Sequence, residues 1–201
     1  MHIAILTFDG YNELDSLIAL GILNRVKRPD WRVSIASPTP RVESMNGVVL
    51  ERHIPLSEVS SADAVIIGSG MKTREVVADE AIISQLQLDP SRQLIGAQCS
   101  GALLLAKLGL LDGMPVCTDL TTKPWVQEAG GEVLNQAFFA KGNLASAGGC
   151  LASQYLAIWL LARLEGLEVA EEAIYYVAPV GEKETYVNRA MQNVRRYLPV
   201  E

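Results

Sequence analysis

Two hydrophobic rhythms alternate along the chain. Short continuous apolar runs suit strands buried on both faces. Between them lie stretches whose apolar residues recur every three or four positions, as on one side of a helix. Residues 2–8 (HIAILTF), 31–37 (WRVSIAS), 62–70 (ADAVIIGSG) and 93–98 (QLIGAQ) are strand-like. Residues 13–26 show helical spacing through Leu14, Leu17, Ile18, Gly21 and Ile22, and residues 73–88 are predicted as one helix. Pro38 and Pro40 stop the second strand. In residues 41–54, Asn46-Gly47 joins two β-prone arms, a hairpin signal.

After Cys99 a helix is expected to about Lys107, with an exit turn over 109–113. Residues 116–119 (VCTD) read as a short strand, and 122–131 as a helix with a glycine stop. Residues 132–149 read as short strands around Gly142-Asn143. Residues 150–166 and 168–178 predict buried helices, and 181–197 is polar and helix-compatible. Strands alternating with helices predict an α/β fold: a doubly wound, mostly parallel sheet sandwiched by helices. The length, 201 residues, suits one domain over 1–201 with a substantial core.

In such a sheet, ligands bind at the carboxyl ends of the strands. The polar and glycine features fall at those ends. Asp15 follows the first strand, Gly68-Ser69-Gly70 the third and Cys99 the fourth. Asp119 follows the VCT strand, and Gly148-Gly149 the last. These residues are expected to converge on one crevice. The glycines there either offer N–H donors to a developing negative charge or only make turns.

Ala97-Gln98-Cys99-Ser100-Gly101 has the form of a nucleophile elbow, a tight strand-to-helix turn that needs small neighbours. Backbone amides at the start of the following helix favour an anion, so a lowered thiol pKa is expected for Cys99. The alternative is a small buried core residue. Cys117, inside an apolar run, and Cys150, opening a buried helix, read as core thiols. Asp15 either caps or begins its helix, or stands over Cys99 as an acid/base group. His2 begins the first strand, away from the crevice, and His53 lies in a hairpin arm. Neither suits a Cys–His dyad. Met71, Trp125 and Tyr155 are candidates for the pocket wall, or for structure alone.

Composition narrows the function. The chain is 49% hydrophobic and 20% charged, ordinary for a soluble globular protein. Its net charge of −6, with no lysine/arginine cluster, argues against a nucleic-acid partner. The N-terminus has no basic, apolar and cleavage regions of a secretion signal. The apolar stretches are too short to span a bilayer. No membrane association and a cytoplasmic location are expected. Three cysteines without C-x-x-C spacing argue against a disulfide framework or a zinc site, so no metal is expected.

The residues also resemble a known family. LIGAQCSGALLLAKLGLLDG (94–113), IAILTFDGYNELD (3–15), AVIIGSG (64–70) and LASAGGCLASQYLAIWLL (144–161) together are similar to the ThiJ/PfpI superfamily. The likeness runs over residues 2–178. The carboxylate in ELD and the hydroxyl residue after the cysteine resemble the isocyanide hydratase branch. They also resemble the ligand-binding-like domain of AraC-type amidase-like regulators. The resemblance implies a flavodoxin-like, class I glutamine-amidotransferase-like sandwich and a homodimer. It implies the nucleophile at Cys99, an adjacent hydroxyl at Ser100, a carboxylate at Asp15 and a backbone oxyanion donor at Gly70.

Two departures bear on chemistry. Asp119 stands where a histidine of a TTHW-like stretch is expected, and Ser100 replaces the histidine of protease-like members. Peptidase activity is therefore not expected. A regulator would need a helix-turn-helix domain, for which the chain, ending at Glu201, leaves no room. The expected activity is hydration or hydrolysis of a small electrophile by Cys99, Asp15 and Ser100. Gly70, Ser69, Asp119, Gly148 and Gly149 would bind substrate or oxyanion. An isocyanide going to an N-substituted formamide fits, and no metal or organic cofactor is needed. The alternatives are glyoxalase- or amidase-type activity, or a redox-sensing or regulatory binding protein.

Overall fold

The strand-like runs pair into one sheet in the computed structural model, which describes residues 1–199. In chain order the strands are β1 (His2–Leu6), β2 (Arg32–Ser37), β3 (Arg41–Glu43), β4 (Val49–Glu51), β5 (Ile54–Pro55), β6 (Ala64–Ile67), β7 (Leu94–Gln98), β8 (Phe138–Lys141) and β9 (Leu144–Ala147). Seven of them form the sheet in the order β5-β2-β1-β6-β7-β9-β8. All neighbours are parallel except the β8–β9 hairpin, which turns at Gly142-Asn143. β3 and β4 pair separately around the Asn46-Gly47 turn, as the sequence predicts.

Both faces of the sheet are covered, so its strands are apolar throughout rather than alternating. In β1, Ile3 and Ile5 pack into one layer, and Ala4 and Leu6 into the other. The first layer is covered by α1 (Glu13–Leu23), α6 (Ser153–Glu165), α7 (Leu167–Val177) and α8 (Lys183–Val194). The second is covered by α2 (Thr73–Ala78), α3 (Glu80–Ile83) and α4 (Gly101–Lys107). The short α5 (Lys123–Glu128) adds Val126 to a small satellite cluster beside α4. α6 is apolar almost all round because it is the most deeply sunk helix: Leu156, Ile158, Trp159 and Leu160 are all fully buried. It reaches the sheet over Gly96, where a Cβ would come within 2.8 Å of Leu156 Cδ2. Among the described residues, no helix is long and apolar enough to cross a membrane.

Two expected elements are corrected. The helix predicted over 73–88 is two short helices, α2 and α3. Asp79 breaks it: its backbone is extended, and Oδ1 accepts from the N–H groups of Ala81 and Ile82 at 2.9 and 3.3 Å. Asp and similar short polar side chains compete with the helix for its own amides. The VCTD strand is a loop with one isolated bridge, Val116 to Val133. Pro115 brings no N–H to a ladder, and the Cys117 N–H donates to the Ser146 hydroxyl at 2.9 Å. Asp119 therefore follows a loop, not a strand of the sheet.

Candidate active site

Where β7 ends, the chain turns sharply into α4. Cys99 sits at that turn with φ of 45°, one of two non-glycine residues with positive φ among the described residues. Such a backbone costs on the order of 1–3 kcal/mol and persists only where the surroundings enforce it. Here they do. The Cys99 N–H donates to the Ala147 carbonyl on β9 at 2.8 Å, and the Thr118 hydroxyl donates to the Cys99 carbonyl at 2.7 Å. Gly101 must lack a side chain, because a Cβ would lie 2.5 Å from the Ile67 carbonyl. The elbow read from the sequence is the elbow in the fold.

Asp15 lies in the first turn of α1, fully buried. It is not the cap. Asn12 is, with Oδ1 accepting from the Leu14 N–H at 3.1 Å. One Asp15 oxygen accepts from the Ser69 hydroxyl. The Asp15 carboxylate, the Cys99 sulfur and the Cys150 sulfur all lie within 4.8 Å of one another. Burial raises the Asp15 pKa; the hydrogen bonds from Ser69 and the two thiols oppose this, and the Asp119 charge reinforces it.

The Cys99 thiol is pushed well above its ordinary range, first by burial and then by the Asp15 charge; the Gly149 N–H partly offsets this. The expected lowering is therefore corrected. One helix terminus does not outweigh desolvation beside a carboxylate. Burial and the nearby carboxylate thus both favour the protonated thiol, and a carboxyl itself raised in pKa lies within 4.8 Å of it.

Cys150 is the residue sequence reasoning misplaced. It is half-buried and borders the cavity rather than the core. Gly149, with φ of 91°, precedes it, and residues 150–152 form a 3-10 turn before α6 begins. Cys150 thus faces the crevice, with Asn12 Nδ2 donating to its sulfur at 3.2 Å. Its place beside Gly148-Gly149, at the end of the last strand, was the available signal. Asn12 was missed as well. Asp15, Cys99 and Cys150 together offer one carboxylate and two sulfurs, and a metal held there would first have to displace the thiol protons.

A cavity of about 400 Å³ opens over the sulfur. Ser69, Gly70, Met71, Asp119 and Trp125 border it as anticipated. Met45 joins Met71 and Trp125 on its apolar wall. Tyr155 does not reach it and lines a separate groove. Ser100 borders the cavity, but its hydroxyl is already engaged. It accepts from the Gly70 N–H at 3.1 Å and shares a hydrogen bond with Thr73 Oγ1 at 2.7 Å. Gly148 lies against the backbone of Thr118, and the Gly149 carbonyl accepts from Gln98 at 2.9 Å. Asp119 Oδ1 accepts from the N–H groups of Thr121 and Thr122, both at 2.9 Å, and so shapes the turn into α5.

Both histidines lie elsewhere. His2 contacts Ser34 at the amino end of β1, and His53 Nδ1 accepts from the Ile35 N–H at 3.0 Å. The titratable group beside the Cys99 sulfur is therefore a carboxyl and not an imidazole, a pair suited to nucleophilic chemistry assisted by a carboxyl.

The DJ-1/PfpI family model matches residues 1–163. No curated protein matches the chain. Among solved structures, a cysteine-to-alanine mutant of a DJ-1 superfamily protein from Salmonella typhimurium is 26% identical, with a TM-score of 0.75 over 89% of this chain and 98% of its own. Schizosaccharomyces pombe DJ-1 is 15% identical, with a TM-score of 0.76 over 89% of this chain and 100% of its own. An AraC family transcriptional regulator from Pseudomonas putida is 16% identical, with a TM-score of 0.74 over 88% and 99%. The last two likenesses concern the fold.

Proposed function

The chain belongs to the DJ-1/PfpI family, and from its Cys99–Asp15 pair we propose a cysteine-nucleophile hydratase or hydrolase of small electrophiles, with an isocyanide as substrate and an N-substituted formamide as product. The observation that carries this reading is a buried carboxyl, raised in pKa, within 4.8 Å of the sulfur at the elbow. A raised carboxyl pKa is the direction a general acid needs.

The Cys99 thiolate attacks the terminal isocyanide carbon. That carbon takes its proton from Asp15, leaving a thioimidate on the sulfur. The Asp15 carboxylate then accepts a proton from water as the water adds to the thioimidate carbon. Asp15 returns that proton to the nitrogen and takes the hydroxyl proton as the carbon–sulfur bond breaks, so the formamide leaves with the thiolate and the Asp15 acid restored. The Gly149 N–H, already directed at the sulfur, stabilises it as leaving group. Met45, Met71 and Trp125 give the substituent an apolar wall. Asp119, also on the cavity, disfavours anionic substrates. Ser69 orients Asp15 and thereby positions its proton. Ser100 would orient water only after releasing its present partners.

Amidase- or glyoxalase-type chemistry would begin from the same sulfur, and lactate from methylglyoxal would mark the second. The reading places the protein in the cytoplasm as a homodimer acting on a small molecule, without nucleic acid or membrane. Exposed Leu151 and Val177, beside a groove between α1, α6 and α7, supply apolar surface for such a dimer.

The test is conversion of an aryl isocyanide to its formamide by purified protein, with Cys99→Ala alongside. Turnover present in the parent and lost in the variant is expected. Turnover that survives in Cys99→Ala overturns the mechanism.

A further inference from the structure

The hydratase mechanism uses one sulfur, yet the site holds two. We propose that Cys150 is the resolving thiol of Cys99: a hydroperoxide converts Cys99 to its sulfenic acid, and the two cysteines then close an intramolecular disulfide that a dithiol reductant reopens. The proposal rests on the reading of Cys99 as the reactive sulfur, but not on isocyanide turnover.

Three observations carry it. First, the sulfurs lie within 4.8 Å of each other. A change of one χ1 rotamer moves a cysteine sulfur by about 3 Å, enough to bring the pair into bonding contact. Cys150 opens a short 3-10 turn behind Gly149, and its sulfur accepts a hydrogen bond from Asn12 Nδ2. Second, Asp15 faces both thiols. Its Oδ1 is buried without a hydrogen-bond partner, and the carboxylate lies within 4.8 Å of both sulfurs. One carboxyl can thus take a proton from either sulfur. Third, both cysteines border the open cavity, so a small hydroperoxide reaches them. Cys117 offers no alternative. It is fully buried and outside the cluster.

The chemistry balances. The Cys99 thiolate attacks the outer peroxide oxygen; a sulfur–oxygen bond forms and the oxygen–oxygen bond breaks. The sulfur loses two electrons and the peroxide is reduced, leaving as water or an alcohol with a proton from Asp15. Cys150 then passes its proton to Asp15 and attacks the Cys99 sulfur. The sulfur–sulfur bond forms, the sulfur–oxygen bond breaks, and hydroxide leaves as water with that proton. Without Cys150, a sulfenic acid in an open cavity goes on to sulfinate, which a thiol reductant does not reverse.

The test treats reduced protein, at high dilution, with two equivalents of hydrogen peroxide, one for each oxygen that a sulfinate would gain. The reaction is quenched with iodoacetamide, and intact mass and peptide maps are read for the wild type and Cys150→Ser. The wild type is expected to lose two hydrogens. Cys99 and Cys150 should appear in one cross-linked peptide of a monomeric chain, Cys117 should remain free, and dithiothreitol should restore both thiols. In Cys150→Ser, Cys99 should gain two oxygens, and dithiothreitol should not remove them. Cys99 sulfinate in the wild type at the variant's rate overturns the proposal. So does Cys150 that still alkylates after Cys99 has reacted, or a cross-link only between chains. The wild-type map decides even if the variant does not fold. Isocyanide turnover by the reduced protein is scored separately: turnover without the disulfide defeats only this proposal, and the disulfide without turnover defeats only the hydratase reading.

Discussion

Replacing Asp15 by asparagine keeps the shape of the side chain and removes its charge. The variant therefore asks whether the carboxyl and the Cys99 thiol share a proton. Their reacting atoms lie within 4.8 Å. At that separation and an effective dielectric of about 20, two negative charges repel by about 3.5 kcal/mol. This is roughly two and a half decades of proton affinity, at about 1.36 kcal/mol per decade. The pair then loses its protons in two separated steps. Between the steps it holds one proton, divided between oxygen and sulfur in a ratio that pH does not change. The thiolate fraction is flat there. With asparagine, burial alone still holds the thiol high, and the thiolate fraction climbs tenfold per pH unit. The assay is the alkylation rate of Cys99 by iodoacetamide, read by peptide mass from about pH 6 to 9. Both proteins carry Cys150→Ala, so that Cys99 is the cysteine facing the cavity. A plateau at least about two pH units wide with Asp15, and a slope of one with asparagine, is expected. A slope of one in both would show that carboxyl and thiol titrate independently, and would refute the shared proton.

The same substitution should stabilise the fold. Burial raises the Asp15 carboxyl above its unfolded value of 3.8. As pH rises past that value the unfolded chain releases a proton the folded one still holds, so stability falls until the folded carboxyl itself titrates. Asp15→Asn escapes this loss. It should melt above the wild type at pH 7, with the gap shrinking toward pH 4; a gap that stays constant or widens on acidification contradicts the assignment. Gly148→Ala should destabilise, because its Cβ would lie 2.4 Å from the Thr118 carbonyl oxygen and 3.0 Å from the carbon and nitrogen of the same residue. Backbone cannot yield as a side-chain tip does. The cost should be about 1–3 kcal/mol, or roughly 2–12 °C in Tm at about 2–4 °C per kcal/mol for a chain of this size. Thermal circular dichroism checks it, and an unchanged Tm would mean the loop after β9 relaxes freely.

What could be read from the sequence was set by local sterics and by periodicity. The elbow was legible because Ala97, Cys99 and Gly101 meet a requirement imposed within five residues, and the close approach of Gly101 to the Ile67 carbonyl is that requirement in space. The parallel strands were legible because burial on both faces leaves an unbroken apolar run. The errors came where a distant group took over a local one. The Ser146 hydroxyl takes the Cys117 amide and keeps 116–119 from becoming a strand. Asp79 looked like one polar residue on a helix surface, whereas its side chain starts a second helix. Cys150 continues the apolar pattern of α6, so periodicity placed it in the core; the positive φ of Gly149 instead turns it toward the crevice, where Asn12 from α1 meets it. The direction of the Cys99 pKa was misread for the same reason. The helix amides that favour a thiolate are neighbours in sequence. The burial and the Asp15 charge that oppose it come from a helix more than eighty residues earlier and from the closing of the sandwich. A nucleophile's position is therefore a local property of this chain, and its protonation is a global one. Asp15→Asn therefore tests the part of the site that local sequence does not supply.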